Sequence, residues 1–260
     1  MIKNDKEDRL GKEQLNNQGC LMKIIEYNNC DDIIVEFQDE YRAKVKTQYG
    51  HFKSGEIKNP YYKSVFGVGM VGNKYPKSIN NKITKEYNTW NGMLRRCFDV
   101  KCKEKHPTYK DAICCDEWLL YENFYEWLHS QENFERWTLL NKGAIDKDIL
   151  IKGNKIYSPN TCCLVPLVVN NLFIKSDSSR GNLPIGVTKK RNRFLSRCCN
   201  PITNERDWLG AYPTSDKAFL AYKPYKENLI KQIAQIEFDK GNITKRCYEA
   251  MMDYEVEITD

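Results

Sequence analysis

Alternating apolar and polar positions near the N-terminus predict a small β module over residues 19–75. Runs of β-branched and aromatic residues lie at Met22–Tyr27 and Ile33–Phe37, and a polar, turn-forming stretch separates them. A third alternating run follows at Tyr41–Val45. This pattern is typical of an all-β, barrel-like domain. The polar residues 1–18 before it are predicted to form a flexible leader.

The spacing of large apolar residues becomes helical between residues 83 and 135. An aromatic stripe with this spacing is more typical of a protein core than of a cofactor site, so we expect a helical core here. The predicted core residues are Trp90, Met93, Leu94, Cys97, Trp118, Tyr121, Phe124, Tyr125 and Leu128.

A β–β–α unit is predicted next. Ala144–Ile151 has the composition of a strand, a glycine-containing turn follows, and Thr161–Val165 reads as a second strand. Pro166 is suited to the first turn of a short helix. This unit and the helices before it form one predicted domain, residues 76–176.

Three strands and a helix are predicted for the next domain, residues 182–240. Thr214 is suited to cap the helix, and Pro224 is expected to kink or restart it. The C-terminal tail, residues 241–260, is expected to contain further helical turns around 244–252. The expected fold class is therefore α+β. The three strands are predicted near 185–189, 192–199 and 205–210.

Charge distinguishes the C-terminal third of the chain. The formal net charge is +6 over 260 residues, but seven basic residues and only one acid, Asp177, lie between positions 175 and 200. Such a cluster is an electrostatic footprint for phosphate, and a solvated surface is the alternative interpretation. The basic residues are Lys175, Arg180, Lys189, Lys190, Arg191, Arg193 and Arg197.

Neither a signal peptide nor a membrane span is predicted, because no stretch approaches the ~20 apolar residues that a span needs. We expect a cytoplasmic protein without a membrane partner, and its 11 cysteines are expected to be mostly reduced. Cys97, Cys102, Cys114 and Cys162 flank the β–β–α unit, but their spacing matches no standard zinc finger. Zinc is therefore not expected.

Residues 208–214 and the helix after them carry a resemblance to a known family. Their sequence, Trp-Leu-Gly-Ala-Tyr-Pro-Thr, is followed by Ala218 and Ala221–Tyr222, and it resembles the third strand and helix of AP2/ERF-like DNA-binding domains. Gly186–Val187 resembles the opening of that family's first strand, and Phe194 stands where the family usually has Trp. The resemblance implies a double-stranded DNA-binding domain made of a three-stranded sheet and a helix.

The strand pattern agrees with that expectation on physical grounds. A three-stranded ribbon can enter the major groove, which is ~12 Å wide. Arg191, Arg193 and Arg197 share parity, so on one continuous strand they would share a face, whereas Ser196 and Cys198 would pack on the helix. The predicted DNA-binding residues are Lys189, Lys190, Arg191, Arg193, Arg197, Arg206 and Trp208.

The β–β–α unit resembles the HNH-type nucleases of phages and mobile introns. That family has Asp-His on its first strand, an Asn at the start of its second, and a final His or Asn in its helix. Asp146 and Lys147 stand at the Asp-His position, Asn160 at the central Asn, and Asn170 or Asn171 near the last position. AP2-like domains accompany HNH domains in phage homing endonucleases, so the two resemblances support each other.

Lys147 departs from the family, whose His is the general base. A protonated lysine has no lone pair to accept a proton, so Lys147 is predicted to be catalytically inactive. Asp146 and Asn160 could still bind Mg²⁺ through oxygen ligands. His106 and His129 lie outside the motif, and nothing in the sequence places either of them at this site.

Three functions stay open at this stage. The first is a double-stranded DNA-binding protein of a phage or mobile element, acting in a bacterial host cell, with a degenerate HNH core. The second is an active, Mg²⁺-dependent HNH-type homing endonuclease that nicks DNA. The third is a protein-binding phage inhibitor of a host system, acting through the 19–75 module, for which the sequence identifies no partner.

Overall fold

A computed structural model describes residues 8–140, 142–174 and 180–260. The protein is α+β, as expected. Lys175 and Asp177 of the predicted basic cluster lie outside the described residues. Its contacts divide the chain into two compact units: Met1–Lys110 with Cys114–Glu126, and Asp111–Ile113 with Trp127–Asp260.

A four-stranded antiparallel sheet in the order β1–β2–β3–β4 lies in the first unit. Alternation along β2 and β3 buries one side chain in two, so that Met22, Ile24 and Val35 have no exposed surface. Phe52 of helix α1 packs into the same core. The elements are β1 (Glu13–Leu15), β2 (Leu21–Asn29), β3 (Asp32–Phe37), β4 (Lys44–Thr47) and α1 (Tyr49–Ser54).

Two expectations for this region are wrong. Residues 1–18 are not a flexible leader throughout, because Glu13–Leu15 pair with β2 as an edge strand. Strand pairing uses backbone groups, so the polar side chains there gave no signal. The predicted N-terminal β module is confirmed as a four-stranded antiparallel sheet, but its described strands form an open, linear sheet and not a barrel, and the short helix α1 belongs to it.

The predicted aromatic core of the helical region is confirmed. Trp90, Met93 and Leu94 have no exposed surface, and the Trp90 indole N–H donates a 2.7 Å hydrogen bond to the Trp118 carbonyl oxygen. Tyr125 is the exception, since it is only half-buried. The elements here are β5 (Ser78–Ile79), β6 (Lys82–Ile83), α2 (Lys85–Phe98), α3 (Val100–Lys105), β7 (Ile113–Cys114) and α4 (Tyr121–His129), with short 3₁₀ turns at Pro107–Tyr109 and Asp116–Leu119.

The β–β–α unit is present in the second unit, but its first strand is shorter than predicted. β8 and β10 pair antiparallel, with Asp146 opposite Cys163. The strand ends at Asp146 because its carboxylate accepts hydrogen bonds from the backbone N–H groups of Asp148 and Ile149, which turns the chain. The elements are α5 (Phe134–Leu139), β8 (Gly143–Asp146), β9 (Ile156–Tyr157), β10 (Cys163–Pro166) and α6 (Leu167–Leu172).

The C-terminal strands and helices lie within two residues of their predicted positions. The Thr214 hydroxyl accepts a hydrogen bond from the Lys217 N–H, as expected of an N-cap. The helix does not restart at Pro224, because it is continuous over the 25 residues from Ser215 to Asp239; a kink at Pro224 stays a prediction. The elements are β11 (Val187–Lys190), β12 (Arg193–Asn200), β13 (Glu205–Tyr212), α7 (Ser215–Asp239) and α8 (Lys245–Met252).

The β–β–α unit shares one hydrophobic core with these C-terminal elements. Val165 and Val169 belong to the same cluster of buried side chains as Val187 and Ala234. The sequence pattern predicts two separate domains for these segments, residues 76–176 and residues 182–240. The division of the chain at these bounds stays a prediction.

Candidate functional site

The sheet β11–β12–β13 has one face that α7 leaves open. Directly opposed residues of antiparallel strands point to the same face. Lys190 lies opposite Arg193, and Arg197 lies opposite Trp208. Cys199 lies opposite Arg206 in the same register. The open face is therefore built from side chains of all three strands. Its members are Thr188, Lys190, Arg193, Leu195, Arg197, Cys199, Arg206, Trp208 and Ala211.

The opposite face packs on α7. Ser196 and Cys198 are buried there, together with Ala218 and Tyr222 of the helix. Gly186 is required next to this contact, because a Cβ atom on it would lie 2.1 Å from the Tyr222 ring and its φ is +75°. The predicted division between exposed Arg193 and Arg197 and buried Ser196 and Cys198 is confirmed.

Arg191 is not part of the strand. It is exposed, but it lies with Asn192 in the two-residue turn between Lys190 and Arg193, where its φ is +53°. The parity argument that grouped it with Arg193 and Arg197 is therefore wrong, because parity applies only along a continuous strand. Lys189 also lies off the open face, since it is opposite Phe194, with its ammonium 5.8 Å from that ring's centroid.

A bulge keeps Trp208 on the open face. Ser196 pairs with Gly210 while Arg197 pairs with Trp208, so Leu209 is an extra residue in β13. The Arg197 guanidinium lies 5.0 Å from the centroid of the Trp208 ring, a cation–π distance. Trp208 is nevertheless 53% exposed, in contrast to the fully buried Trp90, Trp118 and Trp137. Its indole surface is available to a partner.

Positive charge on the open face is not neutralised by neighbouring acids. Lys190, Arg193, Arg197 and Arg206 are exposed, and none of these four forms a salt bridge with any described residue. Arg193 uses part of its guanidinium to donate a 2.5 Å hydrogen bond to the Ala211 carbonyl oxygen.

The two acids of these strands lie on the opposite face. Asp207 is opposite Cys198, and Glu205 is opposite Asn200. The Tyr225 hydroxyl of α7 donates a hydrogen bond to the Asp207 carboxylate and lowers its pKa, and the Asn200 amide donates a second bond of 3.0 Å. Asp207 is thus an anion that holds the helix against the sheet. Strand alternation thus places Lys190, Arg193, Arg197 and Arg206 on one face and both acids on the other, where Lys189 also lies.

The predicted HNH-type residues have structural partners instead. The Asp146 carboxylate caps its own turn, and burial raises its pKa. Lys147 is 7% exposed, and its ammonium donates to the Asp148 carboxylate at 2.6 Å and to the Asn154 carbonyl oxygen at 3.0 Å. Asn160 is exposed before β10, and its backbone carbonyl oxygen accepts a 2.5 Å hydrogen bond from Arg246.

No metal centre is recognisable at these positions. Asp146 and Asn160 belong to no group of three or more His, Cys, Asp or Glu side chains able to hold a metal, within residues 8–140, 142–174 and 180–260. Asn170 is half-buried on α6 and Asn171 is exposed. The hydrogen bonds of Asp146 and Lys147 therefore stabilise the turn after β8. Binding of Mg²⁺ by Asp146 and Asn160 stays a prediction.

Lys226 was not among the site residues predicted from the sequence. This lysine lies four residues after Tyr222 and four before Ile230, so it occupies the apolar stripe of α7 and is 8% exposed. A lysine on such a stripe is itself a sequence signal, because charged residues are almost never fully buried without a partner.

Comparisons with protein-family models, with curated proteins and with solved structures found no match to this chain. In the part of the chain that the structure describes, every helix is too short or too polar to cross a membrane.

Proposed function

We propose that the protein binds double-stranded DNA through the open face of the β11–β13 sheet. The observation that carries this proposal is the separation of charge between the two faces of the sheet. Lys190, Arg193, Arg197 and Arg206 are exposed on one face and have no ion-pair partner among the described residues, whereas the acids of the strands are on the other. A polyanion is the ligand that such a face fits.

The shape of the sheet suits the major groove of duplex DNA. Three strands spaced at 4.7–4.9 Å are about 10 Å across, close to the groove width of ~12 Å. Arg193 and Arg197 lie on the central strand, where guanidinium groups can bind guanine bidentately. Lys190 and Arg206 lie on the outer strands, where they can reach phosphates. Trp208 offers an apolar surface to a base or sugar.

The resemblance to AP2/ERF-like domains supports the same proposal from the sequence. Its residues fall on β13 and on the first turns of α7, which is where that family has its third strand and helix. We extend the proposal to a protein of phage or mobile-element type that occupies DNA without cutting it. Lys147 supports this, because its ammonium is committed to two acceptors and offers no lone pair to a water molecule.

DNA binding is tested with the full chain and a fluorescently labelled duplex. We expect anisotropy to rise with protein concentration, and the dissociation constant to increase steeply with salt as counterions are released. A second reaction with supercoiled plasmid and Mg²⁺ reports nicking. No binding at low salt, or binding indifferent to salt, would refute the interface. Metal-dependent nicking would show that the protein does cleave DNA, and it would not contradict the proposed DNA interface.

A further inference from the structure

A groove of about 1140 Å³ lies in the second unit, beside the edge of the β11–β13 sheet. β11 pairs with β12 only as far as Ser196, so the later part of β12 has one uncovered edge. Side chains of α6, β11, β12 and α7 line the groove, among them Val168, Val187, Arg197 and Lys226. This volume is slightly above the usual range of small-molecule sites, which is about 300–1,000 Å³.

Lys226 is the unusual group in this groove. It is 8% exposed, and within the described chain its ammonium has no hydrogen-bond acceptor and no ion-pair partner. Burial lowers the pKa of Lys226, which reflects the free energy needed to keep a charge there. Buried charges in proteins are normally paired. An ammonium group that is buried without a partner and lines a groove has the charge and the free donors to bind an anion.

The other charged residues of the groove have the same sign. Lys189, Arg180, Arg197 and Arg206 line it together with Lys226, and Glu205 is the single acid among the residues known to line it. Lysine binds phosphate as a point charge, and arginine binds it through paired N–H groups. Tyr222, Ile185 and Val168 add apolar surface next to the cations.

We propose that this groove binds a phosphate group, with Lys226 as its innermost cation. The phosphate could belong to a free compound the size of a mononucleotide or to the backbone of bound DNA, since Arg197 and Arg206 belong to both the groove and the open face. The chemistry is the same in both cases. Lys226 itself is buried on the α7 side of the sheet, so it can be changed without altering the open face.

The test compares the full chain with the Lys226→Met variant, which keeps the length of the side chain and removes the charge. Inorganic phosphate is titrated against chloride at equal ionic strength, and the melting temperature is followed by tryptophan fluorescence. We expect phosphate to raise the melting temperature of the unmodified protein, because ligand binding stabilises the folded state. In Lys226→Met the affinity for phosphate should fall about tenfold or more.

A structural effect of the substitution is separable from loss of the site. Because the lysine is unpaired, Lys226→Met should melt at the same or a higher temperature in chloride. Lys231→Met, on the exposed side of α7, is the matched control and should keep the full response to phosphate. A phosphate response equal in all three proteins, or absent from the unmodified protein, would overturn the proposal.

Calorimetric titrations then identify the source of the phosphate. The probes are inorganic phosphate, a nucleoside monophosphate and a short DNA duplex. A dependence on Lys226 with inorganic phosphate and the nucleoside monophosphate but not with the duplex assigns the groove to a free ligand, and a dependence in all three titrations extends the site to the DNA backbone; either supports the proposal. Equal affinities of the unmodified protein and Lys226→Met for all three probes would exclude a phosphate site.

Discussion

Arg197 lies at the centre of the proposed DNA interface, and replacing it with glutamine tests that proposal. Arg197 lies on the middle strand, and its one described contact beyond the backbone is the cation–π contact with Trp208 at 5.0 Å. Since such a contact at an exposed position contributes about 0.5–1 kcal/mol, the free energy of unfolding should fall by no more than that. A loss of DNA affinity would then report on the interface and not on the fold.

The expected magnitude depends on what Arg197 contacts. If it reads a base, Arg197→Gln should cost about 1–3 kcal/mol on a preferred sequence, with less effect on random DNA. If it binds a phosphate, the loss should be similar on all sequences. Each phosphate contact contributes about −0.9 to the slope of log affinity against log salt. If Lys190, Arg193, Arg197 and Arg206 all contact phosphates, the slope should be about −3.6, and Arg197→Gln should leave about −2.7; if Arg197 reads a base, the substitution should leave the slope almost unchanged.

The assay is fluorescence anisotropy of the full chain with labelled duplexes, between roughly 50 and 200 mM salt. A preferred duplex is first selected from a random pool, and a scrambled duplex serves for comparison. Lys231→Gln is the matched control, because it changes the net charge by the same amount on the exposed side of α7. Melting curves of both variants check that the fold is retained.

Equal losses for Arg197→Gln and Lys231→Gln would refute the reasoning. That result would mean that DNA responds to the net charge of the protein and not to the open face. A salt slope near zero in the unmodified protein would refute it as well, since phosphate binding must release counterions.

The remaining predictions concern single side chains. Trp208→Ala should weaken duplex binding in the same anisotropy assay and leave the melting temperature almost unchanged, because its ring is 53% exposed; a large loss of stability would show that the ring is structural. Pro224→Ala should raise the free energy of unfolding in urea by about 1–3 kcal/mol by restoring a helix hydrogen bond, and a decrease would mean that Pro224 fits α7 without strain. Asp146→Asn should be nearly neutral in the same titration and Asp146→Ala should cost about 1–3 kcal/mol, since only Asn retains an oxygen for the two backbone N–H groups; equal costs would contradict a capping role.

Local patterns predicted the C-terminal elements well because each depends on near neighbours. The alternation of Arg193 and Arg197 with Ser196 and Cys198 is a property of one strand, and a strand has a strict period of two. The cap at Thr214 depends on residues three positions apart. The aromatic stripe of α2 is likewise contained in one helix. In each case the residues that form the pattern in the sequence are the same residues that form the strand, the cap or the helix.

Features that depend on distant pairing were not predictable in the same way. The bulge at Leu209 exists only in relation to β12, and it is the pairing of β12 with β13 that places Trp208 beside Arg197. The helix through Pro224 persists because Tyr222 before it and Leu229 after it are buried in the core of the unit. Packing of this kind outweighs a local preference, and the sequence of one helix does not contain it.

The contrast between the β–β–α unit and the open face shows which residue patterns indicate function. Asp146 and Lys147 match a nuclease motif in type and position, yet each has partners within its own loop that account for its presence. The four cations of the open face have no acidic partner among the described residues, and Lys226 has none in its groove. Burying Lys226 without a partner costs free energy, and a cluster of exposed cations with no acids among them creates a positive potential that attracts anions. We therefore expect an external anion to bind at the cations of the open face and at Lys226, and not at the residues of the nuclease-like motif.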